Sequence, residues 1–358
     1  MSIVKATTRY EAWLAENAKL VPADLKLKHT YMAQSPFSFL RATFYRWAQV
    51  WPKVCPELAC APQVLAVGDL HVENFGTWRD VEGRLIWGVN DFDESFPLPY
   101  TNDLVRLATS AHLAIAENHL ALAHEEACQA ILDGYRQALS EGGGPFVLEQ
   151  HHGWLRELAT GVLRDPVQFW AKMEALPTIR GDVPMSARKV LESLLPERGL
   201  PYRIAHRVAG LGSLGRQRFV AIAEWGGGHV AREAKTLVSS ACFWANNNHG
   251  TQQILYEEIL ARAVRVLDPF VHLRGRWIVR RLAPLCSRIE LSSLPDRREE
   301  ARLLKAMGYE TANVHLGSKK AILALRRDLK RRPAGWLHTA AKEMAKATLE
   351  DWEGWRKA

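Results

Sequence analysis

Cysteine is scarce: the 358-residue chain has five, Cys55, Cys60, Cys128, Cys242 and Cys286. They are dispersed, odd in number and form no Cys-x-x-Cys pair. That pattern argues against a disulfide framework and against a zinc motif. No apolar run reaches membrane-spanning length, and the first residues lack the charged-then-apolar pattern of a signal. Together these absences predict a reduced, cytoplasmic protein with no membrane partner. Charge is not extreme either, with 47 Lys and Arg against 39 Asp and Glu, a net +8. Such an excess favours anionic ligands without naming one. Its densest part, Lys319, Lys320, Arg326, Arg327, Lys330, Arg331 and Arg332, reads as a solvated helix face, so nucleic acid is not expected as a partner. The rival, nucleic-acid binding through that run, would show steep salt dependence. What the chain does have is length and apolar content, 47% hydrophobic with 13 Trp, enough for two lobes with sizeable cores.

The most informative stretch is 64–94, VLAVGDLHVENFGTWRDVEGRLIWGVNDFDE. Val64 to Val67 form a short apolar run that stops at Gly68-Asp69, as a buried strand feeding a functional loop does. A hairpin-like link through Glu82-Gly83 leads to a second apolar run, Leu85 to Val89, which delivers Asn90, Asp91 and Asp93. Phosphoryl transfer needs a carboxylate near the attacking hydroxyl, and an amide oxygen and a second carboxylate on a metal. Asp69 and Asn74 have the five-residue separation of a kinase base and its metal-binding Asn. Asp91 is placed as the other ligand, with Asp93 as a further carboxylate, and hard oxygen donors suit Mg²⁺. Asp and Asn also shape turns, which is the competing reading of a lone pair. His71 reads either as a base or as a hydrogen-bond partner that shapes the loop.

Around this stretch, residues 6–20 and 35–51 have helical periodicity, the latter opened by Ser35-Pro36 and carrying Arg41. Arg41 is either a surface ion-pair partner or part of the site. Asp103 opens a helix with Arg106 three residues on, and either caps it or braces the catalytic loop from behind. Pro166, Pro177, Pro184, Pro196 and Pro201 mark connections, so a lobe boundary is placed near 200.

Beyond that boundary the pattern alternates. Gly210, Gly212 and Gly215 form Gly-x-Gly-x-x-Gly, with Ser213 inside it and strand-like residues on both sides. A dinucleotide-binding site would place a helix after the glycines. A strand there favours a β-hairpin loop over phosphates. The next strand, His229 to Lys235, should carry the phosphate-binding cation. The kinase spacing of about seventeen residues lands on Arg232, and Lys235 faces the other side of the strand. An amphipathic helix over 251–267 offers Glu257 or Glu258 to pair with that cation. Arg276 to Leu282 reads as a strand, and 296–316, 318–331 and 335–356 read as helices.

Several motifs then resemble a bacterial family labelled domain of unknown function 2252. They are Ser35-Pro36-Phe37 with Phe39-Leu40-Arg41, Gly68-Asp69-Leu70-His71 with Asn74-Phe75-Gly76, and Asn90-Asp91-Phe92-Asp93-Glu94. Asp103-Leu104 with Arg106-Leu107-Ala108, Gly210 to Gly215, Arg232-Glu233-Ala234, Val279 to Leu282 and Ala312-Asn313-Val314-His315 complete the set. The Gly-Asp-x-His-x-x-Asn loop is also similar to that of aminoglycoside and choline kinases. The resemblance implies an α+β, protein-kinase-like two-lobe fold, with a mostly helical large lobe and a small antiparallel β lobe. The catalytic loop precedes the glycine loop, the reverse of ordinary kinases, which implies a circular permutation. On that reading residues 1–200 carry the catalytic and metal loops, 201–285 the β-rich nucleotide lobe, and 286–358 helices that complete the helical lobe beside the catalytic segment. Where the family often has Lys-Glu-Ala, this chain has Arg232-Glu233-Ala234. The expected function is an ATP- and Mg²⁺-dependent phosphotransferase acting on a hydroxyl of an unidentified, small-molecule acceptor. The alternatives are a nucleotide- or partner-binding pseudokinase and a protein nucleotidyltransferase.

Overall fold

The computed structural model describes residues 1–160, 165–181, 183–246, 252–286 and 299–358. It opens with helices α1 (Ile3–Asn17), α2 (Pro22–Gln34), α3 (Pro36–Ala42), α4 (Phe44–Val54) and α5 (Pro56–Ala59). Proline stands in the first turn of α2, α3 and α5, where its missing N–H has no helical partner to lose. Ser35 caps α3 by accepting from the Ser38 N–H at 3.1 Å. The single helix expected over 35–51 is broken at Thr43, whose backbone (φ −125°, ψ 40°) leaves the helical region. Its hydroxyl donates back to the Phe39 carbonyl at 2.7 Å.

Strand β1 (Gln63–Ala66) is followed by β2 (Phe75–Arg79), β3 (Leu85–Val89) and β4 (Phe96–Pro99). β1 pairs with β4, whereas β3 pairs with β2 and with the short β5 (Phe146–Val147), all antiparallel. The hairpin through Glu82-Gly83 therefore joins β3 to residues 75–79, which the sequence reading left between its two strands. Asp80 shapes that turn, accepting from the Glu82 and Arg84 N–H groups at 3.0 and 2.8 Å.

Helices α6 (Tyr100–Ala116) and α7 (His124–Glu141) follow, then α8 (Gly153–Ala159), α9 (Pro166–Glu174) and α10 (Met185–Glu192). Strands β6 (Tyr202–His206), β7 (Arg218–Trp225) and β8 (Gly228–Thr236) come next, then helices α11 (Ala241–Ala245) and α12 (Tyr256–Arg262). The chain closes with β9 (His272–Arg274), β10 (Trp277–Leu282), α13 (Glu300–His315), α14 (Ile322–Arg331) and α15 (Trp336–Arg356). The helix expected over 251–267 thus reduces to α12, with Thr251 outside the described residues, as are residues 296–298 of the helix expected over 296–316. The fold class is α+β with antiparallel sheets.

The main core packs α1, α3, α4, β1–β3, α7, α13 and α15 around α6, which is buried through nearly its whole length. α7 and α13 approach backbone to backbone. A β-carbon on Gly134 would lie 1.8 Å from the Lys305 carbonyl, and one on Gly308 2.0 Å from that of Ile131. The five-stranded sheet, ordered β6-β7-β8-β10-β9, carries apolar clusters on both faces. Val183, Ala187 and Leu191 at α10 cover Phe219, Ala234 and Val279 on one face. Met173 of α9 covers Val220, Ile222 and Leu282 on the other. Met173, Val183, Ala187 and Leu191, which lie before the boundary expected near 200, therefore pack on the sheet. The basic run forms α14 and its flanks, where Arg332 pairs with Asp328 at 2.8 Å and Arg326 donates to the Leu139 carbonyl.

Candidate functional site

The loop 68–74 leaves β1 at Val67-Gly68. Gly68 has φ +80°, and a β-carbon there would lie 2.3 Å from the Glu94 carbonyl, so only glycine fits. Asp103, buried in the first turn of α6, accepts from the Val67 N–H at 2.7 Å and the Gly68 N–H at 3.0 Å. It braces the loop rather than capping its own helix. His315 of α13 stands behind it, with Nε2 3.0 Å from Asp103 Oδ2 and Nδ1 2.8 Å from the Tyr135 hydroxyl. Beyond α13, Ser318 accepts from the Leu65 N–H of β1 at 2.8 Å.

Asp69 follows. Arg106 donates to its Oδ1 from Nε at 2.9 Å and also from Nη2. The Arg106 guanidinium is buried between the rings of Phe44 and Trp47, 5.0 and 4.9 Å away. Burial raises the Asp69 carboxyl above its ordinary value despite the pull of Arg106. Oδ2 faces the glycine loop, 3.3 Å from where a Gly212 β-carbon would be. Asn74 ties two loops together. Its amide donates to the carbonyls of Asp69 and Asp91, each at 3.1 Å, and its oxygen accepts from the Asp91 N–H at 3.0 Å. His71 Nδ1 accepts from the Glu73 N–H at 3.2 Å, a loop-shaping contact. Arg41 pairs with Glu73 at 2.6 Å, and both line the cavity described below.

Of the two strand cations, Lys235 is the one that faces the carboxylates of 91–93. Its ammonium donates to Asp91 Oδ2 at 3.0 Å and to Asp93 Oδ1 at 2.7 Å. Arg232 lies on the opposite face of β8, donates to the Leu194 carbonyl at 2.8 Å and stacks 4.8 Å from Phe270. The pleat decides this, because residues three apart on a strand point to opposite faces. Glu257 and Glu258 meet neither cation. Glu257 accepts from the Leu273 N–H at 3.0 Å and Glu258 pairs with Arg262 at 2.7 Å, since short α12 turns both outward. Burial would raise Asp91, but Lys235, then a hydrogen bond from Asp93, then Arg280 outweigh it and hold the carboxyl below the usual range. Asp93 goes the other way, pushed up by burial and by the charge on Asp91. Arg216 reaches Asp93 at 3.2 Å.

The glycines join β6 to β7 as the expected hairpin loop, which contains a single 3₁₀ turn, Leu211–Ser213. Gly210 and Gly215 have φ of +72° and +101°. Inside the loop, Ser213 Oγ accepts from Arg218 Nη2 at 2.7 Å. Outside, α2 and its leading residues grip it: Lys28 donates to the Gly212 carbonyl at 3.0 Å, and the Val21 N–H to the Gly215 carbonyl at 2.8 Å. Burial, then Arg216, lowers the Lys28 ammonium to about 8.

Sequence reasoning passed over the arginine cage beneath this loop. Glu233, buried on β8, accepts from Arg207 at 2.5 Å, Arg218 at 2.8 Å and Arg280 at 2.9 Å. Burial opposes its ionisation, but the three guanidinium groups hold its carboxyl well below the usual range. The signal was available only through strand register, which sets Glu233 opposite Arg280 on β10. Glu94 was passed over as well. It accepts from the Ala241 N–H at 2.6 Å, and burial pushes it up to about 7 despite Arg216.

These groups enclose a cavity of about 460 Å³. Its walls include Asp69, Asn74, Asp91 and Asp93 on one side and Gly210, Gly212 and Ser213 on the other. Arg216 and Arg280 also reach it, and Arg216 Nη1 is buried with no hydrogen-bond partner among the described residues. Gly215 borders Leu25 of α2 rather than the cavity. Such a chamber can hold a polyanion and a hard cation together, beside a carboxylate able to accept a proton.

Among the described residues no helix is long and apolar enough to cross a membrane. Neither the curated proteins nor the solved structures contain a match to the chain. A family model does match: residues 20–155, which include Asp69, Asn74, Asp91, Asp93 and Asp103, fit the family described as "Uncharacterized protein conserved in bacteria (DUF2252)".

Proposed function

We propose that this chain is an ATP- and Mg²⁺-dependent phosphotransferase of kinase-like, circularly permuted fold, acting on a hydroxyl group of a small molecule. One observation carries the reading: three separate segments, 69–74, 91–93 and 210–213, converge on a single cavity, with Lys235 buried behind Asp91 and Asp93. Phosphoryl transfer asks the protein mainly for positioning and charge, and these segments supply both. The volume, about 460 Å³, lies within the range of small-molecule sites. The order of catalytic loop before glycine loop, with α13 packed behind Asp103, supports the permuted relation.

The donors fit Mg²⁺. Asp91 and Asp93 already converge on one cation, the Lys235 ammonium, and together with Asn74 they offer only hard oxygens. Bound there, Mg²⁺ would offset negative charge on the phosphates. Asp69 would take the acceptor's proton on Oδ2 while Arg106 fixes Oδ1. The acceptor oxygen then bonds to the γ-phosphorus, the bond to the β,γ-bridging oxygen breaks, and ADP leaves. Arg216, through its unpartnered Nη1, and Lys235 would hold phosphate oxygens.

A second reading, nucleotide binding without transfer, is favoured by Gly212 standing over Asp69, while Arg232, where the family often has lysine, faces away from the cavity and does not bear on it. Labelled ATP separates the readings. Movement of the γ-label marks a kinase, movement of the α-label a nucleotidyltransferase, and movement of neither a binding protein. Calorimetry comes first: ATP should bind in the presence of Mg²⁺, and Asp91→Ala should remove that dependence. Absence of ATP binding with and without metal would overturn both nucleotide readings.

A further inference from the structure

A second cluster of ligating side chains lies outside the cavity. His112 on α6, Cys128 on α7 and His338 on α15 each bring one ligand atom within 4.8 Å of the other two. Cys128 Sγ is 3.3 Å from His112 Nε2. The His112 and His338 rings are 5.2 Å apart, and the His124 ring stands 4.6 Å from that of His112. His112 and Cys128 are buried and His338 is half-buried. His338 Nδ1 is itself buried and has no hydrogen-bond partner among the described residues. A buried imidazole nitrogen left unpaired costs free energy, and such exceptions point to a missing ligand.

We propose that His112, Cys128 and His338 form a binding site for a zinc-class divalent ion that pins α15 to α6 and α7. Two imidazoles and a thiolate are the donors zinc prefers, and among the described residues no carboxylate joins them, which disfavours Mg²⁺ and Ca²⁺. Bond lengths of about 2.0–2.1 Å to nitrogen and about 2.3 Å to sulfur require the three atoms to draw closer, which side-chain rotation supplies. The fourth position falls to water or to His124, the first residue of α7. Burial, then His124 and His338, pushes His112 down to about 4, so its lone pair is available at neutral pH. Burial, then Glu125, pushes Cys128 up to about 12, so the empty site holds a thiol. Binding therefore releases the thiol proton to solvent as the sulfur–metal bond forms. The dispersed positions explain why no zinc motif is visible in the chain: its ligands come from three helices, two of them more than two hundred residues apart.

The site is tested with the full chain, stripped by chelator and titrated with Co²⁺. One equivalent should produce a sulfur-to-cobalt charge-transfer band, which Zn²⁺ then bleaches by displacement. Cys128→Ser should abolish the band, and His338→Gln should weaken Co²⁺ binding by about 10-fold or more. Cobalt held by Asp91 and Asp93 has no sulfur and gives no such band. Zn²⁺ should also raise the melting temperature of the stripped natural chain but not that of His338→Gln, a readout that stands if Cys128→Ser folds poorly. A natural chain without the band, or a band that survives Cys128→Ser, overturns the proposal.

Discussion

Asp91, Asp93 and Glu94 sit within four residues of each other, yet the fold gives each a different proton affinity. Lys235 keeps Asp91 ionised, the charge on Asp91 raises Asp93, and burial raises Glu94 to about 7. The Glu94 shift makes stability depend on pH. An unfolded glutamate titrates near about 4.3, so between that value and about 7 the folded chain binds more protons than the unfolded one. Stability attributable to Glu94 therefore falls as pH rises through that window and stays lower above it. Glu94→Gln removes the charge and keeps an oxygen for the Ala241 N–H. Denaturant melts should find this variant more stable than the natural chain by about 1–3 kcal/mol at pH 8 relative to the difference at pH 4.5. A difference independent of pH would contradict the assignment. Spacing and the flanking apolar runs marked Asp69, Asn74, Asp91 and Asp93 as candidates. They could not reveal Glu94, whose role depends on Arg216 and Ala241, more than a hundred residues away in sequence.

Two further residues can be tested by their chemistry. On the proposed mechanism, Asp69→Asn removes the proton acceptor while Arg106 and Asn74 keep the loop shape. Transfer should fall by about 10²–10⁴-fold with ATP affinity retained. Single-turnover measurements check this, and a variant with unchanged turnover would remove Asp69 from the reaction. Glu233→Gln leaves three guanidinium groups facing one another without their shared carboxylate. Breaking such a buried set costs about 3–5 kcal/mol, read from denaturant curves. If the loss is within about 0.5 kcal/mol, the cage is not holding the sheet beneath the glycine loop.

At the scale of elements, the glycine hairpin is where local signal and packing meet. The flanking alternation identified β6 and β7 as strands around the glycines, and the pleat then placed Lys235 opposite to Arg232. The helix that holds the loop was not legible. α2 has little amphipathic patterning: its buried residues are Asp24, Lys28 and Met32, two of them charged. Lys28 donates to the loop and Asp24 lies 3.0 Å from His206 of β6, so this helix is buried by polar contacts rather than by an apolar stripe. Two glycines distinguish the loop's roles. Gly212 has an ordinary backbone, but a β-carbon would press on the Arg41 carbonyl at 3.2 Å and Asp69 Oδ2 at 3.3 Å. Gly215 combines φ +101° with a clash 2.4 Å from Leu25. Gly212→Ala should therefore impair transfer with a stability loss below about 1 kcal/mol. Gly215→Ala should cost more stability, about 1–3 kcal/mol, through backbone strain against α2. Equal effects on stability would mean that the loop is held elsewhere.

Across the whole molecule, the loop that carries Asp69 is held by residues far from it in sequence, Asp103 and His315. Hydrophobic periodicity found α13 but not its partners, since helix patterning says nothing about which neighbour a face will meet. Only the motif Ala312-Asn313-Val314-His315 pointed to the catalytic segment. The chain Tyr135–His315–Asp103 ends on the N–H groups of Val67 and Gly68, immediately before Asp69. His315→Leu would leave the Tyr135 hydroxyl buried without its imidazole and remove one donor from the Asp103 carboxylate. Hydrogen bonds to buried charges contribute about 1.5–3 kcal/mol, so the variant should lose about that much stability. Tyr135→Phe should lose less, because Asp103 keeps all its donors. The two losses should not add, since both act through one imidazole. If the network also positions Asp69, His315→Leu should slow transfer below its melting temperature while leaving ATP affinity unchanged. A loss of stability without a loss of turnover would make the network a fastening between α13 and β1 and nothing more.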